Sequence, residues 1–358
     1  MKHVLVYGMT DNPGGLETYI VGLFRRMQGK GAHLDILTDF DFVAYAEELT
    51  AGGAAIYHIP AKSRSLFKHW GRLRRILREH PEYSAVYFNI LDAGAAVTML
   101  VPFLMGRRVV AHSHNDDTEK KRLHRLCRPL LRLAARERFA CSEAAARYMF
   151  GSGGGKKARI IPNMIDARAF AFDPAVRERK RTELGLGDRL TVCHVGRLAP
   201  QKNPMGLLAI FAAVHARRPD AVLLSVGDGE LAAAFDKAVR ERGLEGAVVR
   251  LGARNDVAEL LQAADVFLFP SLYEGLGIAV LEAQAGGLAC VVSDAVPAEV
   301  DATGLVTRLP LSLPPEAWAE SVLAAAETPR GDAYDAMVRA GYDISCSAAH
   351  DRLLLDAF

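Results

Sequence analysis

Residues 266–283 read VFLFPSLYEGLGIAVLEA. The apolar run Val266–Phe269 stops at Pro270, a polar turn follows, and a helical pattern opens near Gly277. A short buried strand that feeds a helix through a glycine-bearing loop is the unit from which parallel α/β sheets are built. The same unit recurs along the chain. Upstream strands are expected at His3–Tyr7, His33–Leu37, Ala55–Ile59, Ala85–Phe88, Arg108–Ala111, Arg138–Cys141 and Arg159–Ile161. A second series is expected at Thr191–Val195, Ala221–Val226, Val248–Leu251, Val266–Phe269 and Ala289–Val292, with amphipathic windows such as Leu16–Met27 and Pro204–Arg217 between strands. Two series predict two doubly wound domains, each a parallel sheet with helices on both faces.

The break is expected within Asn163–Gly187, which carries Pro174 and the charged run Arg177–Arg181. Residues 1–164 with 343–358 then form the first domain and 165–342 the second. The last helix, about Ser345–Phe358, has no strand of its own and packs back on the first domain.

At 358 residues, 50% hydrophobic and 24% charged, the chain can bury two cores, which excludes a disordered or collagen-like protein. The net charge of +2 hides an asymmetry: residues 1–170 carry 26 Lys and Arg against 16 Asp and Glu, and the remainder carries 18 against 26. The five scattered cysteines form no Cys-x-x-Cys pair and no disulfide framework, which suits a reducing cytoplasm. The opening MKHVLVYG is too short for a signal segment, and the apolar stretch Asn89–Met105 is broken by Asp92 and Pro102. It reads as strand, turn and buried helix, short of a span of about 20 residues.

Two loops suit phosphate. After the first strand, Gly8-Met9-Thr10-Asp11-Asn12-Pro13-Gly14-Gly15 leads into a helix, so the Gly14-Gly15 pair offers free amides at a positive helix end. A tight strand-to-helix turn would look the same. After Thr191–Val195 come Gly196-Arg197-Leu198-Ala199-Pro200-Gln201-Lys202-Asn203, where Arg197 and Lys202 flank a turn at the sheet edge that holds ligands in open α/β folds. Gly151-Ser152-Gly153-Gly154-Gly155-Lys156-Lys157 lacks the spacing and hydroxyl of a P-loop and reads as a mobile loop. Gly227-Asp228-Gly229 reads as a strand-end turn, and Asp39-Phe40-Asp41 as a helix cap rather than a cation site.

Glu274 and Glu282 carry the strongest chemical signal. Eight residues of helix rise about 12 Å, beyond the roughly 5–9.5 Å of a glycosidase pair. The spacing favours two hydrogen-bonding tasks on one elongated ligand.

With Pro270-Ser271 ahead of it, Glu274-x7-Glu282 resembles the signature of the retaining glycosyltransferases of family 4, which have the GT-B fold. Gly14-Gly15, Gly196-Arg197 with Lys202-Asn203, Ile161-Pro162-Asn163 and Val226-Gly227-Asp228-Gly229 accompany it in the order that family shows. Ala111-His112-Ser113-His114-Asn115 and Glu282-Ala283-Gln284 are similar to its bacterial capsule and exopolysaccharide branch.

The resemblance implies an α/β protein whose two doubly wound, Rossmann-like domains face each other across a cleft, the first for the acceptor and the second for the donor. It implies transfer of a sugar from a nucleoside diphosphate, with UDP expected, to a lipid-linked or saccharide acceptor. By position, Arg197 and Lys202 would bind the diphosphate, Glu282 the ribose and Glu274 the sugar hydroxyls. The backbone of Leu276, Gly277 and Ile278 would give amides to phosphate, and Gly14 and Gly15 would close on it from the other domain. His114 would sit by the sugar and acceptor, and Arg254 and Asn255 by the base. Glu274, His114, Arg197 and Lys202 are the expected catalytic set, with no metal and no cofactor. A sugar-nucleotide epimerase or phosphorylase on this scaffold, or a non-catalytic nucleotide-sugar-binding subunit, remains an alternative.

Lys62–Arg78 (KSRSLFKHWGRLRRILR) and Lys120–Arg138 (KKRLHRLCRPLLRLAARER) supply most of the first domain's positive charge, interleaved with apolar residues. Such stretches suit an anionic membrane surface or an ordinary solvated helix face. Without a recognition module they do not indicate nucleic acid.

Overall fold

A computed structural model describes residues 1–11, 14–118 and 120–358; Asn12 and Pro13 of the first glycine loop, and Glu119, lie outside it. The chain divides into two compact units, Met1–Asn163 with Ser347–Phe358, and Met164–Cys346. The second crossing falls at 346/347 rather than 342/343. Asp343 stays with the second unit because it bridges to Ile165 and its carboxylate accepts the Ala167 amide at 3.0 Å.

The first unit holds β1 (Lys2–Tyr7), β2 (Ala32–Thr38), β3 (Ile56–His58), β4 (Tyr83–Ile90), β5 (Arg108–Ser113), β6 (Glu137–Ala140) and β7 (Arg159–Ile160). Its helices are α1 (Gly15–Met27), α2 (Ala46–Ala51), α3 (Leu66–Glu79), α4 (Ala96–Leu104), α5 (Lys121–Ala134) and α6 (Glu143–Gly155). The strands run parallel in the order β3-β2-β1-β4-β5-β6-β7. Alternation along β1 sends Leu5 and Tyr7 into the core under α3, α4 and α5, and Val4 and Val6 into the core under α1.

The second unit holds β8 (Thr191–Val195), β9 (Val222–Val226), β10 (Val248–Gly252), β11 (Val266–Phe269), β12 (Cys290–Ser293) and β13 (Val306–Leu309), in the order β10-β9-β8-β11-β12-β13. Its helices are α7 (Pro174–Glu183), α8 (Pro204–Arg217), α9 (Ala232–Glu241), α10 (Val257–Ala263), α11 (Ile278–Ala285), α12 (Pro315–Ala326) and α13 (Tyr334–Arg339). β13 escapes the sequence pattern because it is a short edge strand with Thr307 and Arg308 exposed, not an apolar run. The last helix, α14 (Ala348–Ala357), belongs to the first unit, where Leu354, Ala357 and Phe358 join the core beside α1.

Two expectations fail. Gly151–Gly155 is not a loop: α6 kinks at Gly151 (φ +74°) and continues to Gly155. A Cβ on Gly155 would lie 3.1 Å from the Ala146 carbonyl, so glycine lets this turn fold back on the helix before it. Asp39 and Asp41 cap nothing: the residue preceding α2 is Tyr45, while Asp39 accepts from the Tyr7 hydroxyl at 3.1 Å.

In both sheets the strand order reverses at one place, β1 beside β4 and β8 beside β11. Loops leaving the C-terminal ends of such a pair diverge and open a crevice. The loops after β8 and β11 are residues 196–203 and 270–277, the two stretches that carry Arg197, Lys202 and Glu274.

Candidate active site

The Gly196 amide continues the ladder to Val226 O (2.9 Å), and the Leu198 amide donates to Asp228 O (3.0 Å). Gly227 has φ +127°, and a Cβ there would lie 2.1 Å from Gly196 O. The Gly227-Asp228-Gly229 turn is thus a shelf against which the 196–198 loop lies. Asn203, at φ +52°, caps α8 through Gly206 N (3.1 Å) and donates its side-chain amide to Pro270 O (3.1 Å). Gln201 donates to Tyr273 O (3.0 Å) and accepts from Leu272 N (2.8 Å). These bonds stitch the loop after β8 to the loop after β11.

The stitching brings two predicted site residues together. The Lys202 ammonium pairs with the Glu274 carboxylate and lies 4.8 Å from the centroid of the Phe269 ring. Glu274 is only 5% exposed, so that ion pair is its main compensation for lost water.

Beyond Glu274 the chain turns at Gly277 (φ +91°) into α11. Among the described residues, the amides of Leu276, Gly277 and Ile278 donate to no protein acceptor, and the helix dipole adds to their positive potential. Arg197 is exposed and makes no ion pair among the described residues. The Glu282 side chain, on α11, has no hydrogen-bond or ion-pair partner among the described residues, and burial pushes its carboxyl up to about 8. One half of a single unit therefore presents an exposed guanidinium, an ammonium paired to Glu274, helix-start amides and a half-buried acid. That set suits a ligand with both phosphate and hydroxyl groups. Arg254 is committed to Asp256 by two hydrogen bonds (2.8 and 2.7 Å), and Asn255 is exposed beside it.

His194 was not anticipated. It sits unexposed on β8, with Nδ1 3.0 Å from Leu268 O on β11, stacked on Phe269. Since Nδ1 must donate to a carbonyl, Nε2 is an acceptor. It has no hydrogen-bond partner among the described residues and lies 3.1 Å from where a Gly196 Cβ would be. Burial pulls its pKa down to about 4, so the ring is a neutral strut across the switch point. Its only sequence signal is a histidine inside an otherwise apolar strand, TVCHV, directly before Gly196-Arg197.

In the first unit, Gly8 (φ +133°) lies against β4: a Cβ there would meet Asn89 O at 2.6 Å. Gly14 caps α1, accepting from Thr18 N at 2.9 Å. The buried Glu17 carboxylate accepts from Thr10 Oγ1 (2.7 Å) and approaches Gly14 so closely that a Cβ there would meet it at 2.8 Å. The α1 N-terminus thus already faces an anion of its own.

His114 is buried, with Nε2 3.0 Å from Asn89 Oδ1 and Nδ1 3.1 Å from Asn163 Oδ1. Its ring lies 4.1 Å from that of His112 and 4.6 Å from that of Tyr19. Burial pulls its pKa down to about 3. A neutral imidazole donates from one nitrogen only, so one of the two amides must turn its NH2 to the ring. Asn163 closes the Ile161-Pro162-Asn163 motif, whose part in the first unit is to hold this histidine.

The two basic segments differ. On α3, Leu73, Ile76 and Leu77 are core residues and Phe67 alone of the interleaved apolar set projects (84% exposed). On α5, Leu123, Leu126 and Leu133 project instead, at 47%, 77% and 64%. Among the described residues no helix is long and apolar enough to cross a membrane, and no three His, Cys, Asp or Glu side chains converge as metal ligands.

Comparison with known proteins matches residues 13–169 to the family described as Glycosyltransferase Family 4 and residues 176–336 to Glycosyl transferases group 1. The chain is 35% identical over 380 aligned residues to EpsF of Bacillus subtilis (strain 168), a protein named as a glycosyltransferase; the alignment covers 98% of this chain and 99% of EpsF. Over 144 residues, 38% of this chain and 37% of the relative, it is 40% identical to the UDP-Gal:alpha-D-GlcNAc-diphosphoundecaprenol alpha-1,3-galactosyltransferase of Escherichia coli. The fold is shared with Anabaena Alr3699/HepE, solved in complex with UDP and glucose, at a TM-score of 0.83 and 20% identity over 99% of both chains. It is shared also with the sucrose-phosphate synthase of Thermosynechococcus elongatus, at 0.79 and 18%, covering 99% of this chain and 98% of that one.

Proposed function

We propose a donor, an acceptor and a stereochemical course for this chain, which belongs to the family 4 glycosyltransferases. The donor is a nucleoside diphosphate sugar, with UDP as the nucleotide. The acceptor is a saccharide carried on a lipid diphosphate, as the name of the Escherichia coli relative states for that enzyme. The product belongs to a capsule or exopolysaccharide, and the sugar keeps its anomeric configuration. Work at a cytoplasmic membrane surface follows from such an acceptor, and the outward leucines of α5 among Arg122, Arg125, Arg132 and Arg136 suit contact with anionic lipid.

The observation that carries this reading is the Lys202–Glu274 pair beside the free amides of α11. As the bond between the sugar and the β-phosphate lengthens, negative charge gathers on the departing diphosphate. Arg197, Lys202 and the amides of Leu276, Gly277 and Ile278 are fixed donors for that charge. Lys202 turns from Glu274 to phosphate, and Glu274, released, accepts the sugar hydroxyls. Glu282 takes the ribose. Glu274, engaged by the sugar hydroxyls, is not placed as a nucleophile, and the acceptor oxygen attacks the anomeric carbon from the face the diphosphate leaves. The acceptor proton passes to a phosphate oxygen, and configuration is retained. These cations and dipoles do the work of a divalent metal, and no cofactor takes part. His114, neutral and with both ring nitrogens held by amides, does not exchange a proton.

The test is a panel of nucleotide-sugars with a lipid diphosphate saccharide as acceptor, read by product analysis. Glu274→Gln and Lys202→Ala should each lose turnover by about 100-fold or more. Undiminished turnover in both would remove the assignment.

A further inference from the structure

We infer that a groove of about 670 Å³ on the first unit, walled by α3 and the loops after β2 and β3, binds the diphosphate of the lipid-linked acceptor. This rests on the reading above and gives its second substrate a site.

Lys68, Arg72 and Arg75 fall at i, i+4 and i+7 of α3, one face of the helix, and all three line the groove. None makes an ion pair among the described residues. Arg64 joins them from the loop after β3; the acid on the groove is Asp41, 3.9 Å from Arg64, with both side chains exposed. Seven residues of helix rise about 10 Å, longer than one phosphate needs and enough for two.

Gly71 lies in the middle of that face. A glycine inside a helix lowers its stability, yet a Cβ there would meet nothing within 4 Å. No packing demands it; its effect is to leave open space above the backbone between the cations. Phe40, 38% exposed, adds an apolar wall for the first carbons of a lipid or the face of a sugar.

The groove's loops are tied to the loop after β1. Thr38 Oγ1 donates to Met9 O (2.9 Å), Ala44 N to Thr10 O (2.8 Å), and Lys62 bonds the Tyr7 hydroxyl at 3.3 Å. β2 lies beside β1 in the sheet, so the groove and the Gly14-Gly15 helix start share one sheet edge. A concave site lined by four cations reads a compact anion. The α5 face, with arginines around outward leucines, reads a lipid surface. The two basic segments thus serve one amphiphile at different ends.

The experiment measures farnesyl diphosphate binding to the full chain in detergent, under saturating UDP so that the donor site is occupied. Sedimentation with phosphatidylglycerol vesicles is measured in parallel. The triple variant Lys68→Ala/Arg72→Ala/Arg75→Ala should weaken farnesyl diphosphate by tenfold or more. Gly71→Met, which fills the groove without changing charge and favours the helix, should do the same. Vesicle sedimentation and the thermal shift with UDP should stay unchanged in Gly71→Met, which shows that it is folded. Unaltered farnesyl diphosphate affinity in both variants would overturn the proposal. So would a loss of vesicle binding that matches the loss of farnesyl diphosphate, since the cations would then read bilayer charge. A wild-type protein that binds farnesyl diphosphate in the groove yet transfers no sugar would overturn the function above and leave the groove standing.

Discussion

Lys202 and Glu274, separated by 72 residues, meet as an ion pair in a nearly buried setting with the Phe269 ring beneath the ammonium. A pair in this setting is stable only while both members are present, because either one alone would be a charge with little water to solvate it.

Removing the lysine should therefore cost more than activity. Lys202→Ala should lower unfolding free energy by about 3 kcal/mol, and adding Glu274→Gln to it should restore part of that loss. Urea melts of the two single variants and the double variant measure the coupling; strictly additive losses would show that the pair contributes no stability.

Glu282 should make stability depend on pH. Its folded value, about 8, lies above the ordinary carboxylate value of 4.5, so between those limits the folded state holds a proton that the unfolded chain has lost. Stability from this group is complete below about 4.5 and drains away as pH rises through 8. Glu282→Gln should melt higher than wild type at pH 9 and no higher at pH 4.5. Ribose hydroxyls donate to the charged form, so UDP should bind wild type more tightly as pH climbs from 7 to 9, and Glu282→Gln should lose that trend. Parallel melting curves and titration calorimetry at several pH values decide it.

The shelf against the phosphate loop should tolerate no side chain. Gly227→Ala places a Cβ 2.1 Å from Gly196 O at a positive φ and should cost about 2 kcal/mol or more, with a raised KM for the donor. Gly246, exposed and with nothing within 4 Å of its Cβ, is the control: Gly246→Ala should change neither.

Membrane contact should depend on the outward leucines of α5. Leu126→Ser with Leu133→Ser should reduce sedimentation with anionic vesicles by about tenfold, and high salt should release the wild-type protein. Equal recovery on neutral and anionic vesicles would show that the arginines play no part.

Much of this was legible in the chain. Thr191–Val195 and Val266–Phe269 are strands to the residue, because continuous apolar runs bounded by Gly or Pro have no other stable use in a two-faced sheet. The site loops were legible for the same reason: they are what remains between a strand end and a helix start at the switch point. What escaped depends on neighbours distant in sequence. His194 becomes a strut only because Leu268 O stands beside it on β11. Gln201 and Asn203 are stitches only because the 270–273 turn faces them. β13 draws its pairing from β12 rather than from its own composition. The fold of Gly151–Gly155 is set by the backbone it lies on, which a glycine count cannot reveal.

The return of α14 to the first unit bears on how the protein is made. Leu354, Ala357 and Phe358 fill part of that unit's core, and Lys2 and Arg108 reach the carbonyls of Leu355 and Asp356. A nascent chain leaving the ribosome presents the first sheet with this patch still bare, and the whole second unit must be translated before the missing wedge arrives. The second unit can fold without waiting, so the half made first is the half finished last.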